Sequence, residues 1–168
     1  MQPIIQHRAR MLLAGFSFFG DPFHSHAGWT EANEIGRLWQ RLERLAALPS
    51  VQNTLFASIA VSYEMHLQNH ETPQTGEFEI FAGIEVAAVD NVPLELCVKV
   101  VPETDYAVFT VRGSETYGDE PVLDNWLRDN GYRQAFPFFL QRYDARFKGV
   151  DHLAESEWDI LIPIARVE

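Results

Sequence analysis

The succession of hydrophobic patterns in this chain occurs twice, and that repetition constrains the fold more tightly than any single motif. In the first half the apolar run MLLAGFSFFG, from about Arg10 to Phe19, reads as a buried strand, followed by the Gly-, Pro- and His-rich loop GDPFHSHAGW. Thr30 is the expected helix N-cap, with Glu31 and Glu34 favoured in the first turn by the helix dipole. Ile35, Leu38, Trp39, Leu42 and Leu45 then recur at helical spacing until Pro49 ends the stripe. LFASIAVSYE (Leu55 to Glu64) returns to β character. A polar loop from about Met65 to Gly76, broken by Thr72 and Pro73, leads into FEIFAGIEVAAV. There Phe78, Ile80, Ala82, Ile84 and Val86 share one face, and Glu79, Phe81, Gly83 and Glu85 the other. A glycine inside such a strand marks the close approach of another backbone or of a ligand.

DNVPLELCVKVVPETD, partly extended, joins this half to a second with the same order. YAVFTVRG is a strand ending at Gly113. Glu120 caps a helix, with Pro121 at its first position and Val122, Leu123, Trp126 and Leu127 on its buried face, and Asn130-Gly131 stops it. The strands FPFFLQRYDARF (Phe136 to Phe147) and SEWDILIPI follow. The expected fold class is therefore α+β: two tandem strand–helix–strand–strand modules related by a pseudo-twofold, an antiparallel sheet with helices on one face, and a central cleft. At 168 residues the chain is expected to be one domain, residues 1–168, with module one about 1–90 and module two about 91–168. A groove at a two-module junction is a favoured ligand site. In Phe136 to Phe147, Phe139, Gln141 and Tyr143 fall on one face and Phe138, Leu140 and Arg142 on the other. Two rings flanking an amide suit a ligand pocket; a core strand with its Gln at a wet edge is the alternative.

A net charge of −11 with 13 scattered basic residues excludes direct nucleic-acid binding, which needs clustered Lys and Arg. The single cysteine, Cys97, excludes an internal disulfide, fits a reducing, cytoplasmic setting, and reads as a small buried side chain. The N-terminal apolar run is short, is cut by Gly15 and lacks a cleavage pattern, so it reads as a strand and not a signal peptide; no stretch approaches membrane-spanning length. His24 with His26, and His66 with His70, each lack an obvious third ligand, so no metal is expected. Neither a phosphate loop, a dinucleotide fingerprint nor a nucleophile elbow is present, so no cofactor and no catalytic residue is assigned.

FAGIEV at Phe81 to Val86, YAVFTVRG at Tyr106 to Gly113, the helix around Trp126, FLQRYD at Phe139 to Asp144 and DILIPI at Asp159 to Ile164 together resemble the GyrI-like effector-binding domains. These form the ligand-sensing half of many AraC-type and MerR-type regulators, and also occur alone as integron-cassette effector-binding proteins. The resemblance implies a stand-alone small-molecule-binding protein for lipophilic, often cationic ligands, linked to transcription regulation or drug sensing. Its cleft would be lined by Tyr63, Phe81, Trp126, Phe139, Tyr143 and Trp158, with Gln141 orienting the ligand and Glu85 adding charge at the rim. Many members carry a Glu two residues ahead of the Tyr, where this chain has Gln141, so a counter-charge would have to come from Glu85, Glu64, Glu157 or Asp159. Two other readings stand beside it: a hydrolase of reactive small molecules, for which Gln141 is no base and Glu85 the one substitute, and an acidic protein-interaction module. A protein partner or a homodimer fits each of them.

Overall fold

Period-2 alternation of Val, Ile, Phe and Tyr against polar residues builds the strands, and the two helical stripes cover one face of the sheet they form. The structure, a computed structural model, describes residues 2–52, 55–56, 60–113 and 122–167. Its elements in chain order are β1 (Ile4–Arg8), β2 (Met11–Gly20), α1 (Glu34–Ala46), α2 (Pro49–Gln52), β3 (Ser62–Leu67), α3 (Thr72–Thr75), β4 (Phe78–Val86), β5 (Cys97–Val101), β6 (Thr104–Arg112), α4 (Val122–Asp129), β7 (Tyr132–Gln134), β8 (Phe138–Tyr143), a 3-10 turn (Val150–Glu155) and β9 (Glu157–Arg166). The strands make one nine-stranded antiparallel sheet in the order β1-β6-β9-β8-β3-β4-β2-β5, with β7 beside β9.

That order is the pseudo-twofold. β2-α1-β3-β4 and β6-α4-β8-β9 place equivalent strands symmetrically about the central β3–β8 pair, and the halves exchange their leading strands, β1 pairing with β6 and β5 with β2. The exchange also bends the sheet. Ala9 and Arg10 alone join β1 to β2, and Pro102 and Glu103 alone join β5 to β6. Each pair would lie about 29 Å apart in a flat sheet at about 4.8 Å per strand, whereas the chain from Arg8 to Met11 reaches at most about 11 Å. The sheet therefore curls until its ends meet. Inside the curl Met11, Leu13 and Val101 from one end join Tyr106 and Val108 from the other, together with Tyr63, Phe81 and Leu140. On the outer face α1 buries Leu38, Leu42 and Leu45 against Phe16, Ile80 and Ile84, while α4 buries Leu127 near Phe109, Ile160 and Trp158.

Several local expectations shift. Asn33, not Thr30, caps α1, its side chain accepting from Gly36 N at 3.0 Å and donating to Gly28 O at 2.9 Å. The third strand spans 62–67 in place of 55–64, of which residues 57–59 lie outside the described ones; Phe56 is buried in the cluster that also holds Leu38, Leu42 and Leu45 of α1. Met65, His66 and Leu67 thus belong to a strand and not to a loop. Cys97 is exposed, since it begins β5, which pairs on one side only. The expected cap Glu120 and Pro121 lie outside the described residues.

Tyr106 inside the curl is fully buried, and its hydroxyl has no hydrogen-bond partner. Burial pushes its ionisation up to about 12; Arg8 opposes this and Tyr63 adds to it. The folded state therefore holds the phenolic proton more tightly than the unfolded chain does. The stabilisation is complete below pH ~10 and is lost as pH rises toward ~12, about 2 to 3 kcal/mol for a shift of about two units. Urea unfolding at pH 9 and pH 12 should show that loss in the wild type and a smaller one in Tyr106→Phe. At pH 7, Tyr106→Phe should be neutral or stabilising, because an unpaired buried hydroxyl disappears.

Candidate functional site

The row of cross-strand partners Phe16–Ala82–Glu64–Gln141–Ile160–Phe109 crosses the sheet on the helix-bearing face. It reads nearly the same from either end, and the pseudo-twofold passes between its two polar members. Parity then sends Ser62 and Tyr143, Glu64 and Gln141, and His66 and Phe139 to that same face as three adjacent pairs. These six side chains floor a cavity of about 590 Å³. One wall is α1, through Ile35, Trp39 and Glu43, with the segment leading into it. The other is the connection after β8, through Phe147 and residues 148–152. Gly36 shapes the first wall: a Cβ there would lie 2.5 Å from Glu31 Cα, so its absence lets the leading segment lie against the helix. Trp29 is thereby carried over the cavity, edge-on to Tyr143 and Trp158 at 6.4 and 5.3 Å.

Glu64 is 3% exposed, and its carboxylate accepts at both oxygens. Trp39 Nε1 donates to Oε2 at 2.6 Å, His66 Nε2 lies 2.7 Å from Oε1, and Gln141 Nε2 donates to Oε1 at 3.2 Å. Tyr143 OH donates to Gln141 Oε1 at 3.0 Å and presents its ring edge-on to Trp39. A carboxylate removed from water needs such donors or a cation. Among the described residues its sole ionisable partner is His66. The two arginines on β8 and in the turn after it are used elsewhere. Arg142 and Arg146 both hold Asp144 and Asp159, and Thr110 donates to Asp159 at 2.9 Å. The Arg146 guanidinium holds the Asp144 carboxyl well below the usual carboxylate range, with Arg142 adding to it. This knot fixes the turn that delivers Phe147, 4.8 Å from Tyr143, to the cavity wall.

Of the residues singled out from sequence, Phe139, Gln141 and Tyr143 line the cavity and five do not. Tyr63, Phe81 and Glu85 carry the wrong parity. Tyr63 and Phe81 pack inside the curl, Tyr63 accepting from Arg8 at 3.2 Å, and Glu85 is exposed on that opposite face. Trp126 stacks on Tyr132 at 5.7 Å and meets Phe109 edge-on, away from the cavity. Trp158 lies behind Trp29 and Phe147 as a second layer. Of the four counter-charge candidates, Glu157 and Asp159 are engaged by arginines, Glu85 is on the opposite face, and Glu64 lines the cavity floor. Trp39 and Trp29 went unassigned, the first because its spacing matched a plain core stripe. His24, His26 and His70 are exposed, and the described residues hold no group of three or more His, Cys, Asp or Glu able to bind a metal. No helix among them is long and apolar enough to cross a membrane.

A family model described as integron-associated effector binding protein matches residues 5–164. Curated protein sequences give no match. Among solved structures, SAV2435 bound to tetraphenylphosphonium superposes with a TM-score of 0.65 at 14% identity, over 98% of this chain and 94% of that one. The integron cassette protein VCH_CASS2 from the mobile metagenome of Vibrio cholerae gives 0.59 at 17%, over 98% and 97%. The EcmrR C-terminal domain gives 0.62 at 13%, over 99% and 98%.

Proposed function

Because the chain belongs to the integron-associated effector binding protein family, we propose that it binds a lipophilic aromatic cation in the cavity floored by Glu64 and Gln141. The observation that carries the reading is the buried Glu64 carboxylate, held by N–H donors and matched by no Lys or Arg among the described residues, at the centre of a ring of aromatics. Trp29, Trp39, Phe139, Tyr143 and Phe147 offer faces and edges to a planar or propeller-shaped ligand, and a cation gains further from their ring faces. The volume suits a drug-sized molecule. The ligand of SAV2435, tetraphenylphosphonium, has this chemistry. The whole chain acts as one effector-binding domain in a cytoplasmic setting. A protein partner or a second copy passes the signal on, since a chain of net charge −11 is poorly suited to DNA.

Tryptophan fluorescence quenching tests this directly. Tetraphenylphosphonium should bind saturably at pH 8 and at least about tenfold more tightly than triphenylphosphine oxide, a neutral molecule with the same rings, as expected where one buried unit charge faces another. Equal affinity for the two would remove the cation from the proposal. A hydrolytic second reading gains one point from the structure, a carboxylate hydrogen-bonded to a histidine inside the cavity. Glu64 replaces Glu85 as the candidate base. Turnover of a bound strained electrophile, abolished by Glu64→Gln, would favour that reading.

A further inference from the structure

We propose that His66 is the residue that sets the charge preference of this cavity, acting as its own removable counter-cation. The inference rests on Glu64 being the ligand's counter-charge. Glu64 and His66 are two residues apart on β3, so strand parity brings both to the cavity floor, and His66 Nε2 stands 2.7 Å from Glu64 Oε1. The imidazole is held there: its ring lies between Phe78 at 5.4 Å and Phe139 at 4.5 Å, and the residue is 8% exposed. Gln141 Nε2 touches both members, 3.2 Å from Glu64 Oε1 and 3.3 Å from His66 Nε2. A neutral imidazole with its proton on Nε2 donates to Glu64 and leaves the carboxylate its full charge. A protonated one makes an ion pair and cancels that charge at its source. Histidine is the side chain whose ordinary change of state falls between pH 5 and 8.

The same floor therefore has two characters. With His66 neutral it is anionic and takes a lipophilic cation. With His66 protonated it is neutral overall and takes an uncharged aromatic molecule equally well. The other charged groups facing the cavity are Glu43 on α1, Glu31 before it, and Lys148, Asp151 and His152 after β8. All five are exposed at the rim, where water and salt screen them, whereas the Glu64–His66 pair is buried. By reciprocity of linkage, a bound cation must drive the proton off His66 as firmly as the proton drives off the cation.

The experiment uses tetraphenylphosphonium, whose charge does not vary with pH, and triphenylphosphine oxide as the neutral probe, titrated by tryptophan fluorescence from pH 5 to 8.5. In the wild type, acidification should weaken the cation about tenfold and leave the neutral probe within about twofold. His66→Gln should flatten the cation profile, and His152→Gln should preserve it. Calorimetry at pH 6 in buffers of different ionisation enthalpy should show proton release when the unsubstituted protein binds the cation, a readout that requires no variant to fold. Cation binding independent of pH, an equal slope in His66→Gln, or no proton release would overturn the inference while leaving the cation site standing. Failure of both probes to bind at any pH would overturn the cavity reading and this inference with it.

Discussion

Glu64→Gln should lower the affinity for tetraphenylphosphonium about a hundredfold and leave triphenylphosphine oxide within about threefold, a difference that fluorescence titration at pH 8 would read. A unit charge about 6 Å from a carboxylate gains about 3 kcal/mol at an effective dielectric constant of about 20, which corresponds to about two decades in the dissociation constant. The variant keeps an acceptor for Trp39 Nε1, so loss of affinity comes from charge and not from collapse of the wall. The pseudo-twofold supplies a sharper control. Glu64 and Gln141 are direct cross-strand partners, so adding Gln141→Glu to Glu64→Gln moves the acid across the dyad. That double variant should recover the cation to within about tenfold of wild type. Gln141→Glu alone should gain little, because two adjacent buried carboxylates cannot both ionise and one retains its proton. A Glu64→Gln protein that still prefers the cation would show that the carboxylate is a structural acceptor with no part in recognition.

Which parts of this site could be read from sequence follows from what each inference needed. The strand Phe138–Tyr143 alternates cleanly, so period two alone placed Phe139, Gln141 and Tyr143 together on the cavity face. The same rule also separated Phe81 and Glu85 from Ile80 and Ile84. Those two residues were expected in the cleft on side-chain type and resemblance, and parity prevailed. The Glu64–Gln141 pairing lies 77 residues apart in sequence, and a single chain carries no signal of register between distant strands. An expected strand end at Glu64, three residues short of the observed one at Leu67, further hid it, since it makes Glu64 a strand's last residue and His66 a loop histidine. Trp39 and Trp126 looked equivalent, each midway along a helix. They differ because Trp126 is taken up by Tyr132, on a β-strand that the sequence did not announce.

The curl of the sheet depends on two glycines that face each other across β2 and β4, and substitution at either should be the most damaging single change in the described fold. Gly15 and Gly83 are direct cross-strand partners on the inner side of the bend. A Cβ on Gly15 would lie 2.6 Å from Gly83 Cα and overlap the Ala82 carbonyl oxygen; one on Gly83 would overlap the Ala14 carbonyl and lie 2.6 Å from the fully buried Phe81 ring. The glycine in FAGIEV thus marks the approach of a neighbouring backbone, not of a ligand. Backbone cannot step aside as a side-chain tip can, so relief requires the two strands to separate and the curl to open. Gly15→Ala and Gly83→Ala should each cost about 3 kcal/mol, out of the ~5–15 kcal/mol that holds a domain of this size together. Chemical denaturation would register each as a lowered midpoint. Both changes lie on the face away from the cavity, so protein that remains folded should bind the cation with near-normal affinity. A loss below about 1 kcal/mol in both variants would mean that the bend is set by the two short strand connections alone, with the glycine pair as a bystander.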